Sequence, residues 1–371
     1  MMKRAVVAGG GILGTWHALE LCRAGYTVQH LEADPAPVGA SVRNFGLLWV
    51  SGRRSGIELE VARRSRRRWE EVACDAPGIG FRATGSLTLA VNQGERQVME
   101  SFADHLDAAD RSVTFLEPKR LRAVNPAVRG EIVGGLHCTD DAVVEPRLVL
   151  GALRSHLQSL DGYAFHAGRR VVAFEEQALI DAKGTKWEAD FAVVATGAAF
   201  DHLPGTEHLA ARLRRVRLQM METVPFTSTL TTSVADADTL RYYPAYDVVD
   251  RDPLGRQNSV AAAHHLQLLM VQRGDGGLTI GDTHAYVEPF DFALSEDPSH
   301  ELLARATALL GTPPPPVARR WEGVYSQCID GDVCLRHELS PGVWMVTGPG
   351  GRGMTCAPGI AADTLSAAGV A

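Results

Sequence analysis

Arg4-Ala-Val-Val-Ala-Gly9-Gly10-Gly11-Ile12-Leu13-Gly14 opens the first structural unit of this chain, and Tyr26-Thr-Val-Gln-His-Leu31-Glu32 closes it. A short apolar run ends in glycines. An apolar-periodic stretch (Leu13, Ala18, Leu19, Leu21, Cys22) continues to Gly25, and a second apolar run stops at an acid. Strand, glycine turn, helix, strand and acid in that order spell a βαβ unit carrying Gly9-x-Gly11-x-x-Gly14, a dinucleotide fingerprint. Gly9 permits the tight turn, Gly11 lets the backbone approach a pyrophosphate, and Gly14 lets helix and strand pack closely. Ile12 and Leu13 begin the helix, whose unpaired N–H groups and partial positive charge suit phosphates. Glu32, followed by Ala33, can accept hydrogen bonds from ribose hydroxyls, and its charge repels a 2′-phosphate. An adenine dinucleotide such as FAD or NAD is therefore favoured over NADP.

Outward from that unit, 371 residues suffice for one large or two interleaved domains. Hydrophobic residues at 45% and charged residues at 22% are those of a globular protein. A net charge of -7 argues against nucleic acid or an anionic membrane as partner. The six cysteines (Cys22, Cys74, Cys138, Cys328, Cys334, Cys356) show neither CxxC nor zinc spacing, so no metal site is expected. Three residues precede the first strand and no long uncharged apolar run follows, so the expectation is a cytoplasmic protein without a membrane span. Lys3, Lys119, Lys183 and Lys186 are the only lysines among 37 basic residues.

After Glu32, a turn-forming loop leads to Ser41-Val-Arg43-Asn44-Phe45-Gly46 rather than to a third strand. An arginine-rich helix over 56–72 is expected to turn Arg63, Arg64, Arg66, Arg67 and Arg68 to solvent. Strands are predicted at 85–91, 169–174 (with Val171 and Val172) and 191–198, the last a buried run ending Ala195-Thr196-Gly197. A polar helix is predicted over 93–109, a short one at 116–126, and others over 148–160 and 299–310. Between 214 and 281 the pattern turns β-rich, with candidate strands at 215–223, 227–233, 259–263 and 277–281. Residues 236–257 read as a long loop bearing Tyr242, Tyr243 and Tyr246. A strand at 343–347 precedes Gly348-Pro-Gly350-Gly351-Arg352-Gly353-Met354-Thr355-Cys-Ala-Pro358-Gly359.

Two distant glycine turns are hard to explain with NAD alone. A flavin uses both: the first for its ADP half, the last to bring N–H donors and a helix dipole to the ring edge that turns negative on reduction. Here the chain resembles the D-amino-acid oxidase superfamily of flavoproteins, the group of glycine and sarcosine oxidases, over essentially its whole length. The N-terminal fingerprint, Ala195-Thr196-Gly197 and Gly348-x-Gly350-x-x-Gly353-x4-Pro358 carry that resemblance. Ala40-Ser-Val-Arg-Asn-Phe-Gly46, Arg217–Met221, Gly274–His284, Trp321–Tyr325 and Thr347–Met354 are similar to a bacterial clade associated with phosphonate breakdown.

The resemblance implies an α/β fold in which a Rossmann-like FAD-binding domain (1–80, 143–212 and 322–371) interleaves with an antiparallel-sheet α+β substrate domain (81–142 and 213–321). It implies oxidation of a C–N bond by hydride transfer to flavin N5 and hydrolysis of the imine. The implied substrate is a small zwitterionic amine, with an aminoethylphosphonate or its N-methyl derivative foremost and glycine, sarcosine or a D-amino acid as alternatives. O2 or another electron acceptor completes turnover. FAD contacts are expected from Gly9, Gly11–Gly14, Glu32, Ala33, Ser41, Arg43–Gly46, Val171, Val172, Ala195–Gly197 and Gly350–Thr355. Tyr242, Tyr325, His284 and Arg352 are expected at the reacting centre, and Arg43, His137, Tyr243, His264 and His265 around the substrate. Sarcosine oxidases attach flavin through a cysteine two residues before the sheet tyrosine; Gly323 stands there, so FAD is expected to be noncovalent. Their lysines for oxygen and for the substrate carboxylate have no counterpart after Lys186. Remoter readings are a flavin-binding protein without turnover and a NAD-linked reductase.

Overall fold

A computed structural model describes residues 3–370. Strand Arg4–Ala8 lies near the middle of a six-stranded sheet ordered Leu335–Ser340, Val343–Thr347, Phe191–Val194, Arg4–Ala8, Thr27–Leu31, Tyr163–His166. All neighbours are parallel except the edge pair 335–340 and 343–347. Because strand side chains alternate, Ala5 and Val7 face helices Ile12–Arg23, Ile57–Asp75 and Gly353–Ala367. Val6 and Ala8 face the three-stranded meander Val171–Glu175, Ala178–Asp181, Lys186–Glu188. Burial on both faces explains why these strands read as continuous apolar runs.

An eight-stranded sheet follows the order Val317–Cys328, Leu213–Thr223, Leu278–Gly281, Leu269–Gln272, Ser233–Asp236, Ser86–Ala90, Gly134–Cys138, Val113–Leu116. It is antiparallel apart from the pairing of 233–236 with 86–90. Helix Glu296–Leu310 covers one face through Leu302, Ala306 and Leu309, packed with Met270 and Ile280. The other face presents Leu218, Met220, Leu269 and Tyr325 to Phe45, Trp49 and Tyr243. The architecture is thus a Rossmann-like unit joined to a largely antiparallel α+β unit. The boundary expected between 321 and 322 falls inside Val317–Cys328, whose pairing with 213–223 continues through it.

Several elements differ from the sequence reading. Residues 259–263 form a helix, not a strand: the Asn258 side chain accepts from Ala261 N, and the alanines that follow favour helix. The strand expected at 227–233 is instead Ser233–Asp236, and the polar helix breaks into Gln93–Ala103 and Leu106–Ala109. Residues 236–257 carry the short helix Thr239–Tyr242 and two 3-10 turns.

The arginine-rich helix turns Arg63, Arg64 and Arg67 to solvent as expected, with Arg66 and Arg68 half-buried. Arg64 pairs with Asp363 and Arg68 with Glu20, so it clamps the two helices that follow the glycine turns. Its inner face repairs helix 353–367 at Pro358. A proline has no N–H to offer the carbonyl four residues back. That carbonyl, on Met354, accepts instead from Trp69 Nε1 at 3.0 Å. Ser65 Oγ accepts from Gly359 N and donates to Cys356 O.

Candidate active site

A cavity of about 820 Å³ runs from the first glycine turn to the second. At its first end Gly9 takes φ +113°, and a Cβ there would lie 2.2 Å from the Ala195 carbonyl oxygen. Gly14 does not line the cavity; a Cβ on it would fall 1.8 Å from the Gly9 carbonyl oxygen, so its task is close packing. A Cβ on Gly11 would meet only the Ser41 hydroxyl, leaving its backbone open for a phosphate to approach. Ser41 Oγ accepts from Ile12 N at 2.9 Å. Glu32 Oε2 accepts from Gly10 N at 2.6 Å and Oε1 from Asp34 N at 2.9 Å, which fixes the carboxylate at the rim.

At the other end Gly350, Gly351, Arg352, Gly353 and Met354 form the wall before helix 353–367. A Cβ on Gly351 would come no closer than 3.9 Å to the Tyr242 and Tyr325 hydroxyls, so a planar group has room beside its backbone. One helix N-terminus at each end, glycines open to backbone approach and an acid at the rim fit an extended FAD. Gly9–Leu13, Glu32 and Ser41 would hold its ADP half, and 350–354 its ring.

Against that ring end lies a row of aromatics. The Tyr242 ring stacks on His284 at 4.3 Å and packs edge-on against Tyr243 at 5.0 Å, with its hydroxyl 3.4 Å from that of Tyr325. Burial pushes the phenols of Tyr242, Tyr243 and Tyr325 upward, so all three stay protonated and none serves as a phenolate base. Arg53, 3% exposed, holds its guanidinium 5.4 Å from the centre of the Tyr243 ring. Its Nε donates to the Trp49 carbonyl at 2.7 Å, and its nearest carboxylate oxygen, Glu58 Oε1, is 3.7 Å away. Glu58 also pairs with Arg352 at 3.1 Å, so a buried and a half-buried guanidinium share one carboxylate. At the other end of the row, Asp282 lies 3.8 Å from His284 and accepts from Gln267 Nε2 at 3.3 Å.

Of the residues singled out in the sequence, Gly9, Gly11–Leu13, Glu32, Ala33, Ser41, Arg43–Phe45, Val171, Ala195–Gly197 and Gly350–Met354 line the cavity. So do Tyr242, Tyr243, His265, His284 and Tyr325. Others do not. Val172 points outward from the meander and is exposed. Gly46 makes a left-handed turn against the Val144 carbonyl. Thr355 is buried, accepting from Trp49 N and donating to Leu47 O. His137 lies on strand 134–138, away from the cavity, and His264 contributes only its carbonyl, which accepts from His284 N. Arg352 lines the wall, but its fork is filled by Glu58, Pro349 O and Asp332 O. Arg43 is likewise tied to Glu322 O.

The sequence reading missed Arg53, Gln267 and Asp282. Gln267 and Asp282 meet because strands 269–272 and 278–281 pair, so that the two residues beyond exchange both backbone hydrogen bonds. Local context carries no signal of that.

With this geometry in hand, likenesses to known proteins become readable. An opine oxidase subunit of Agrobacterium tumefaciens (strain Ach5) is 26% identical over 364 residues, covering 92% of this chain and 86% of that one. The opine oxidase subunit of the same name from Rhizobium meliloti is 27% identical over 187 residues, and there the match spans about half of the relative, 48% of its length. Glycine oxidase from Bacillus cereus ATCC 14579 shares the fold, with a TM-score of 0.78 at 18% identity over 98% of this chain and 96% of that one. A family model described as FAD dependent oxidoreductase matches residues 4–366. Two glycine turns at the ends of one cavity and a family match spanning nearly every described residue lead to one conclusion: this chain belongs to the FAD dependent oxidoreductase family.

Proposed function

We propose that the protein is an FAD-dependent amine oxidoreductase that converts the C–N bond of a small zwitterionic amine to an imine, which water then hydrolyses. The observation that carries this reading is the charge layout of the ring-end chamber. An aromatic row has at one end Arg53, whose nearest carboxylate lies at 3.7 Å and is shared with Arg352, and at the other a carboxylate with a histidine. A zwitterion laid along that row meets Arg53 with its anionic group and Asp282 with its nitrogen. When bound, FAD supplies the two-electron acceptor; the chain orients the substrate and manages its proton. An alkyl ammonium has lysine-like basicity, so neutralising it near pH 7 costs roughly 4–5 kcal/mol unless the site helps.

The relatives named as opine oxidase subunits and as glycine oxidase support an amine substrate bearing an acid group. Within that class we favour an aminoethylphosphonate or its N-methyl derivative, because an arginine fork suits a three-oxygen anion. The same fork suits a carboxylate, which keeps glycine, sarcosine and D-amino acids as the second reading. Anaerobic flavin bleaching by 2-aminoethylphosphonate, its N-methyl derivative, glycine, sarcosine, iminodiacetate and D-alanine tests the proposal. The phosphonates should bleach fastest. Bleaching by carboxylates alone discards the phosphonate and keeps amine oxidation, whereas a yellow protein that none of them bleaches overturns it.

A further inference from the structure

We propose that Asp282 is the catalytic base that takes the proton from the substrate's ammonium group, with Gln267 and His284 holding it in position. The assignment rests on the amine-oxidation reading above and names the residue that makes it work near neutral pH.

The geometry is specific. Asp282 is 6% exposed and lines the ring end of the cavity. Its backbone exchanges two hydrogen bonds with Gln267, and its Oδ1 accepts from Gln267 Nε2, so the carboxyl group is fixed from two directions. Oδ2 faces His284 Nε2 at 3.8 Å. The other ring nitrogen, Nδ1, is 3.0 Å from the His265 carbonyl oxygen. A carbonyl can only accept, so Nδ1 carries a hydrogen and Nε2 is the ring nitrogen turned toward the carboxylate. At 3.8 Å the two make no direct hydrogen bond, which leaves Oδ2 open to an N–H of the substrate.

No phenol in the chamber competes for the role. The phenols of Tyr242, Tyr243, Tyr286 and Tyr325 all face Asp282 and are all pushed upward by burial, and Arg214 stands beyond Tyr286, 4.2 Å from its ring centre. Desolvation also raises Asp282 above the ordinary carboxylate range, toward the basicity a proton acceptor needs at neutral pH.

The step balances simply. An N–H bond of the ammonium breaks, its electron pair stays on nitrogen, and the proton bonds to Oδ2. The amine is then neutral and its C–H hydrogen can leave as hydride. The proton on Asp282 returns to solvent when product departs.

Stopped-flow bleaching without oxygen tests this with sarcosine and 2-aminoethylphosphonate, whose amines differ in basicity. In the wild type the rising limb of rate against pH should keep one midpoint for both substrates. Asp282→Asn should slow bleaching by about 10²–10⁴-fold at pH 7. It should recover at about pH 10, where the amine loses its own proton, and its limb should shift with the substrate. The variant should keep its yellow spectrum and bind acetate and ethylphosphonate, which lack the amine, with unchanged Kd. If the variant fails to fold, the wild-type limbs decide alone. A wild-type midpoint that follows the substrate's amine, or a variant as fast as wild type at pH 7, overturns the base alone. A wild type bleached by no amine overturns the amine reading and the base with it.

Discussion

His30 shows how far one side chain reaches. It is buried on strand 27–31, with Nε2 3.0 Å from the Gly9 carbonyl and Nδ1 2.9 Å from the Tyr163 hydroxyl. Nε2 must carry the hydrogen, so the neutral ring props the first glycine turn from beneath. His17 does similar work one helix turn inside, with Nδ1 2.7 Å from Leu13 O. Burial lowers both from 6.5 to about 4. A histidine lowered in the folded state is neutral there while the unfolded chain already binds a proton. Its contribution is therefore complete above about pH 6.5 and is lost as pH falls through about 4. Each is worth on the order of 3 kcal/mol over that window. The melting temperature should fall steeply between those values, and His30→Gln should flatten part of the fall; thermal unfolding against pH checks it. At this scale the sequence was legible where a residue's job is local, as with Gly9 and Gly14. It was silent on Arg53 and Asp282, whose meaning comes from partners far along the chain.

Elements were readable where periodicity and burial agree. The run Phe191–Val194 is apolar on both faces, and the strand is there. The reading failed at 259–263, where capping by Asn258 outweighs a short apolar stretch; at the arginine-rich helix it placed the exposed face, and composition concealed only which arginines find acids on neighbouring helices. That helix supports the ring-end wall through Trp69, which donates to Met354 O and packs edge-on against Trp16 at 4.9 Å. Trp69→Phe keeps most of the packing and strands the carbonyl that Pro358 leaves free. It should cost about 1–3 kcal/mol and weaken FAD retention, measurable by denaturant unfolding and by flavin fluorescence on dilution.

Across the whole molecule, the meeting of two remote glycine turns at one cavity was visible in their order along the chain. The parallel contact of 233–236 with 86–90 was not, since about 150 residues separate the partners and neither strand advertises the other. A cofactor held between the two glycine turns would join the segments around 9–14 and 350–354 into one cooperative unit. FAD at a hundred times its Kd should add about 2.7 kcal/mol of stability and raise a single melting transition, read by differential scanning calorimetry with and without added FAD. We expect the flavin to be noncovalent: Cys328, buried beside the cavity, has its thiol pushed up to about 12 and offers no thiolate at neutral pH. Acid precipitation should release the yellow colour, and colour left in the pellet would contradict this.

The neighbour that flanks Phe191–Val194 opposite Arg4–Ala8 is Val343–Thr347, and the ring-end wall follows directly after it. On a translating ribosome, every other cavity-lining segment is out and able to collapse before that wall exists. Until helix 353–367 emerges, the nascent chain exposes the inner faces of Trp16 and Trp69. A chain stalled or terminated before helix 353–367 therefore displays a greasy, half-built groove to chaperones and proteases.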